Sequence, residues 1–189
     1  MALNDIALCA RALIRLGAKP ISSFTDGSAE SEICGALYGP TKDALLSAYG
    51  WSFATGQVEL TKLDEETIGG YQSVFALPND YLRALSAGSG LNAKGLDYRI
   101  MRGKLYTNAD TVYLTYIFRA DEGEFPPFFD AALISRIAAE LTIPLTENTS
   151  RFETFTKLAE SEFARARQID AQQDRPSRIE RFPLTDIRG

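Results

Sequence analysis

The apolar pattern of the chain predicts an α+β fold: a four-helix bundle with an antiparallel β-meander inserted between the two helix pairs, plus an extended C-terminal tail. Three observations carry this. Apolar residues recur at helical spacing before Gly50 and again after Pro127. Between those stretches the period falls to two, and tight-turn residues separate short alternating runs. Beyond Ala171, the run Gln172, Gln173, Asp174, Arg175, Pro176 and Ser177 has too little apolar surface to join a core.

Asn4 is the expected N-cap of the first helix, whose apolar side is Ile6, Cys9, Leu13 and Leu16, with Arg11 and Arg15 on the wet side. Gly17 closes it and Pro20 prevents its resumption. After a polar loop from Ser22 to Ser28, a second helix carries Ile33, Ala36, Leu37, Ala44, Leu45 and Ala48 as its expected apolar side. Gly39-Pro40 falls inside it and predicts a kink or two abutting helices, because proline lacks a donor and crowds the preceding turn.

After Trp51 the strands begin. Tyr71, Phe75 and Leu77 share a parity, Pro78-Asn79-Asp80 turns, and Leu82 to Ala87 reads as a strand. Tyr98 and Ile100 alternate with charged residues, Arg102-Gly103 turns the chain, and Leu105-Tyr106 returns. Asn108-Ala109-Asp110 leads into the clearest strand, Thr111 to Arg119. Val112, Leu114, Tyr116 and Phe118 line one face there, and Tyr113 and Ile117 make the other face apolar too. Such a strand belongs inside a sandwich or under a helix. The third helix, with Ala131, Ile134, Ile137, Ala138 and Leu141, is expected to stop at Pro144. Ser150 with Glu153 suggests a capping box for the fourth, which carries Phe152, Phe155, Ala159, Phe163, Ala166 and Ile169. The expected body is residues 1–172, with helices at about 4–16, 28–49, 127–143 and 150–171 and the β insertion at about 57–119. Residues 173–189 are the expected flexible arm.

Composition narrows the chemistry. The chain has 189 residues, a net charge of −5 and no histidine. Without imidazole, Ser-His-Asp and Cys-His sites are excluded and histidine cannot ligate zinc. The negative charge argues against a nucleic-acid reader, whose affinity comes from cations on phosphates. It is compatible with a channel wall that DNA passes without sticking. No apolar run reaches the length of a membrane span, and Met1 to Asp5 lacks the basic start of a secretory signal. Cys9 and Cys34 read as buried thiols in a reducing compartment, with a disulfide as the alternative.

Gly88-Ser89-Gly90-Leu91-Asn92-Ala93 has dinucleotide-fingerprint spacing, but Lys94-Gly95 and a strand follow where a helix N-terminus is required. An ordinary glycine-rich loop is the better reading. Asp64-Glu65-Glu66 and Asp121-Glu122-Glu124 lack the spacing of a calcium loop and read as solvated. A carboxylate pair for hydrolysis could be drawn from such residues, though nothing selects one. Trp51 and Phe53 could stack on a base or sugar, but a core anchor is favoured. In the tail, Arg175, Arg178, Arg181, Phe182 and Leu184 are the candidate partner-binding residues. The apolar pair would insert while the arginines meet carboxylates.

One series of landmarks runs through the chain: Leu16-Gly17-Ala18-Lys19-Pro20-Ile21, Asp43-Ala44-Leu45-Leu46, Trp51-Ser52-Phe53-Ala54, Leu77-Pro78-Asn79-Asp80-Tyr81-Leu82-Arg83, Ala138-Ala139-Glu140-Leu141 and Pro144-Leu145-Thr146. In order and spacing it resembles the tail tubular protein A family, the head-to-tail adaptors of tailed phages and prophages. The likeness runs from about Asn4 to Ala171, with Gly39-Pro40 standing where the family would have an unbroken helix. The resemblance implies a structural virion protein at the head–tail junction, made in the bacterial cytoplasm. It implies a dodecameric ring under the portal protein, a tail or nozzle protein as second neighbour, and DNA passing through unread. The free chain's state is left open between ring and monomer, and residues 173–189 become the arm that reaches the portal. No reaction, cofactor, metal or membrane is expected. The alternatives are a connector of a long-tailed phage or gene-transfer particle, a small carboxylate-based hydrolase, and a generic bacterial interaction domain.

Overall fold

The computed structural model describes residues 3–90 and 93–173; the chain there is mixed α/β, with four helices and two antiparallel sheets. Helix α1 spans Asp5–Leu16. The Asn4 side chain accepts from the Ala7 amide, and Gly17 closes the helix at φ 72°, where its amide and that of Ala18 reach the Ile14 and Leu13 carbonyls. A left-handed cap of this kind favours glycine. Helix α2 spans Ala29–Ser47 from an N-cap at Ser28, whose hydroxyl accepts from the Ser31 amide.

Helix α2 passes through Pro40 as one continuous helix, so the alternative of two abutting helices does not hold. The bond that proline cannot make is to the Ala36 carbonyl, and Ala36 and Pro40 both lie on the exposed side. Water can take that carbonyl, so the helix continues. The buried side of α2 also differs from expectation. It is Ser31, Cys34, Tyr38, Thr41, Leu45 and Leu46, whereas Ala36, Ala44 and Ala48 are exposed. The larger side chains took the core and left the alanines outside.

A short 3-10 helix at Ser52–Ala54 leads into the strands: β1 Thr55–Glu59, β2 Lys62–Leu63, β3 Ser73–Ala76, β4 Tyr81–Gly88, β5 Tyr98–Met101, β6 Lys104–Thr107 and β7 Tyr113–Phe118. They form two sheets, ordered β1-β7-β4 and β2-β3-β6-β5. This differs from a single meander, because only β2–β3 and β5–β6 pair with a sequence neighbour. The turns expected at Pro78 to Asp80 and Asn108 to Asp110 are where the chain leaves one sheet for the other. Arg102 and Gly103, at φ 51° and 71°, make the tight β5–β6 hairpin as expected. Leu60, Phe75, Ala87, Leu105, Val112, Leu114 and Tyr116, drawn from both sheets and their connections, form one core between them. Gly88, the last residue of β4, gives the following loop room to pass, since a Cβ there would lie 2.4 Å from the Lys94 amide nitrogen.

Helix α3 spans Pro127–Thr146 and α4 spans Thr149–Ala171. Two corrections apply here. Pro144 does not stop α3, since the bond it forgoes falls in an exposed last turn and the helix runs on to a left-handed cap at Glu147, φ 50°. The N-cap of α4 is Asn148, which accepts from the Arg151 amide at 2.9 Å, so Ser150 sits inside the helix. Helix α3 packs against each of the other three. Strand β7 joins the halves: Leu114 and Tyr116 face the core between the sheets, while Ile117 enters the helical core with Trp51 and Ala54. A side-chain period of two splits one strand between two cores.

Candidate functional site

The helices and sheets meet at Trp51, which is fully buried. Its ring makes edge contacts with Tyr49, Phe129 and Phe163 at centroid distances of 5.0, 5.1 and 5.8 Å, and its indole N–H donates to the Leu45 carbonyl at 3.1 Å. Phe53 lies in the same cluster, 5.0 Å from Phe129. Neither ring is available to stack on a ligand; both are core anchors, as favoured from the sequence.

The junction is held by long-range polar ties. Asp170 near the end of α4 is 1% exposed and accepts from the Ser52 amide at 3.0 Å and the Ser52 hydroxyl at 3.1 Å. Its carboxylate thereby meets the free Ser52 amide that opens the 3-10 helix. Arg119 donates two bonds to Asp43, at 2.9 and 2.7 Å, joining the end of β7 to α2. Arg151 caps the end of α1 by donating to the Leu16 carbonyl at 2.8 Å.

Tyr38, Lys42 and Glu122 form a partly buried titratable cluster. The phenol and the ammonium both donate to Glu122 Oε1, at 2.7 and 2.9 Å. Burial alone would raise the carboxyl, but the donors Lys42 and Tyr38 outweigh it and hold Glu122 below the usual range. Burial, then the Glu122 acceptor, pushes the Tyr38 phenol up. A phenol held protonated against an ionised carboxylate is a structural tie rather than a base. Asp26 falls to about 2 because it accepts from the Ser28 hydroxyl and amide beside the α2 N-cap. Burial raises Asp130 on α3, with the Arg11 charge working against it. The Cys9 thiol is pushed up by its contact with Cys34 and by burial, so both cysteines are free and buried as expected.

The acidic clusters disperse into separate duties. Glu65 pairs with Lys104, Glu122 joins Tyr38, and Glu124 returns to the Asp121 amide in a capping box. Among the described residues there is no metal-ligating cluster. Among the described residues the next element after Gly90 is the strand β5, where a dinucleotide fingerprint would require a helix start. Also among the described residues, no helix is long and apolar enough to cross a membrane.

The feature that the sequence reading missed is a groove along the seam of α2 and α4. It has a volume of about 210 Å³ and an apolar floor of Ala44, Leu45, Ala48, Ala159 and Phe163, with Arg136 and Glu160 at its rim. Glu160 also borders the adjoining hollow around Phe152, Thr156 and Lys157. The signal was present in the α2 alanines, which kept helical spacing but were assigned to the core. The predicted partner-binding residues Arg175, Arg178, Arg181, Phe182 and Leu184 lie outside the described residues.

No protein-family model matches the chain, and no curated protein matches its sequence.

Proposed function

We propose that the chain is a head-to-tail adaptor subunit of a phage or prophage particle, working through contacts with copies of itself, the portal protein and the next tail component. In this reading the four helices form a bundle, and the strands are an insertion between its two pairs. The landmark series that resembles the tail tubular protein A family supports it. The observation that carries it is the open apolar groove along α2 and α4, rimmed by Arg136 and Glu160. An apolar hollow with a charged rim suits a docking protein surface. The polar side chains Asp170, Glu122 and Tyr38 tie one element to another. Residues 173–189 act as the arm that orders on the portal, with Phe182 and Leu184 inserting and Arg175, Arg178 and Arg181 pairing with carboxylates. A connector of a long-tailed phage or a gene-transfer particle would use the same surfaces.

The test is a pull-down on portal rings encoded in the same genome, comparing the full chain with residues 1–172. Binding by the full chain and its loss on truncation, with an unchanged circular-dichroism melt, is expected. Equal binding by both removes the arm's role, and binding by neither removes the adaptor reading.

The carboxylate-hydrolase reading has one observation in its favour, the raised carboxyl of Asp130. It requires that residue in a concave site, yet Asp130 lines neither the α2–α4 groove nor the second hollow on α4, around Phe128 and Ile169. Ester or glycoside turnover abolished by Asp130→Asn would revive it.

A further inference from the structure

Helix α1 has a second apolar stripe that its own fold leaves open. Its core side is Leu8, Cys9, Ala12, Leu13 and Leu16. Ile14 points the opposite way and is 60% exposed, the most exposed of the large apolar side chains among the described residues. Ala10 and Ala7 precede it by four and seven positions, which puts all three on one outward face. Alanines beside a protruding isoleucine let another surface come close. Arg11 borders the stripe, makes no ion pair of its own among the described residues, and faces Asp130 at longer range. Arg15, the other cation on this helix, is held by the Ser135 hydroxyl.

The α2–α4 groove is the complement of that stripe. Its floor is mostly alanine and so has depth for a branched side chain, and Phe163 supplies an apolar wall. On its rim, Arg136 is neutralised by Glu140 at 2.8 Å, which leaves Glu160 as the uncompensated charge. A protruding apolar residue with a cation beside it thus faces an apolar hollow with an anion beside it. The two surfaces belong to different elements of the same chain.

We propose that the outward face of α1 on one copy of this chain seats in the α2–α4 groove of a second copy, Ile14 entering between Ala44, Ala48 and Phe163 while Arg11 meets Glu160. Because the two surfaces differ, the contact is heterologous. Each copy offers one of each, and repetition closes a ring when the rotation allows. The inference rests on the adaptor reading for the association of copies and adds where they touch.

The experiment uses full-length Ile14→Cys and Ala48→Cys variants, mixed with portal rings and treated with a short bismaleimide; the native thiols are buried. A covalent dimer that appears only when both variants are present is expected. Dimer from the Ile14→Cys variant alone would mean a symmetric α1 contact and would overturn the proposal. Copies that assemble on the portal without the mixed product would overturn this interface and leave the adaptor reading standing. Absence of any assembly would overturn both. As a second measurement, sedimentation should show Arg11→Glu weakening self-association roughly tenfold and Glu160→Arg in the same chain restoring it. Failure of the double variant to recover, with both proteins folded, would also count against the pairing.

Discussion

Helices α3 and α4 are consecutive and nearly equal in length, at 20 and 23 residues, yet the fold treats them oppositely. Helix α3 buries Phe129, Leu133, Ile137 and Leu141 and touches every other helix. Helix α4 buries only Ala159, Ala166 and Asp170, and packs chiefly on α3. Phe152 and Leu158 on α4 remain 37% and 41% exposed. An interior helix is specified by volume on all sides. Helix α4, held on one side through Phe155, Phe163, Ala159, Ala166 and Asp170, is specified by one seam, and the rest of its surface stays exposed.

Substitutions along the two helices should separate sharply. The largest effect is expected from Phe129→Ala, which empties the ring cluster around Trp51 and should cost about 3–5 kcal/mol in urea unfolding. An effect near that of a surface site would mean the aromatic cluster does not organise the core. Next comes Asp170→Ala. It removes the buried carboxylate that accepts from the Ser52 amide and hydroxyl, should cost roughly 1–3 kcal/mol, and should raise hydrogen exchange first at the end of α4 and at Ser52. Uniform exchange across the molecule would contradict this local tie.

Acid should act outside both helices, on the tie between α2 and the segment that leads into α3. Glu122 has a lowered folded pKa, so its contribution is present above the unfolded value of 4.5 and is lost as pH falls through the folded one. Stability should therefore decline below about pH 4.5, and Lys42→Met should flatten that decline. The same slope in both proteins would remove Glu122 from the explanation. The smallest effect is expected from Phe152→Ser on α4, within about 0.5 kcal/mol of the parent in the same urea assay. A loss of several times that would show that α4 is packed as tightly as α3.

Local features were legible where a few neighbouring residues decide them. Asn4 and Gly17 bound the first helix as read, because a cap depends on one side chain and one backbone angle. Arg102-Gly103 made its turn for the same reason. The two-sided apolar strand ending near Arg119 was also recognised, and it does serve two cores. The misreadings share one origin. Pro144 reads as a stop and Pro40 as a kink or a junction of two helices, but the cost of a proline depends on whether the orphaned carbonyl faces water. The α2 spacing places Ala36, Ala44 and Ala48 inside with Leu45; Leu45 is buried, but Cys34, Tyr38 and Leu46 take the volume in place of the alanines. Glu122 could not be distinguished from its acidic neighbours, because Tyr38 and Lys42 lie some 80 positions earlier, with separations of 84 and 80 residues.

The amino-acid order by itself determined the four helical segments, the strand-bearing stretch between them, the caps at Asn4 and Gly17, the Arg102-Gly103 turn, and that no imidazole chemistry is available. Those properties follow from periodicity, capping and composition, which act over a few residues or none. Only the tertiary structure decided that β7 lies between β1 and β4, that α3 is central, and that a groove opens along α4. Strand partners and packing faces are chosen by competition among distant side chains for the same buried volume, and that competition has no local signature.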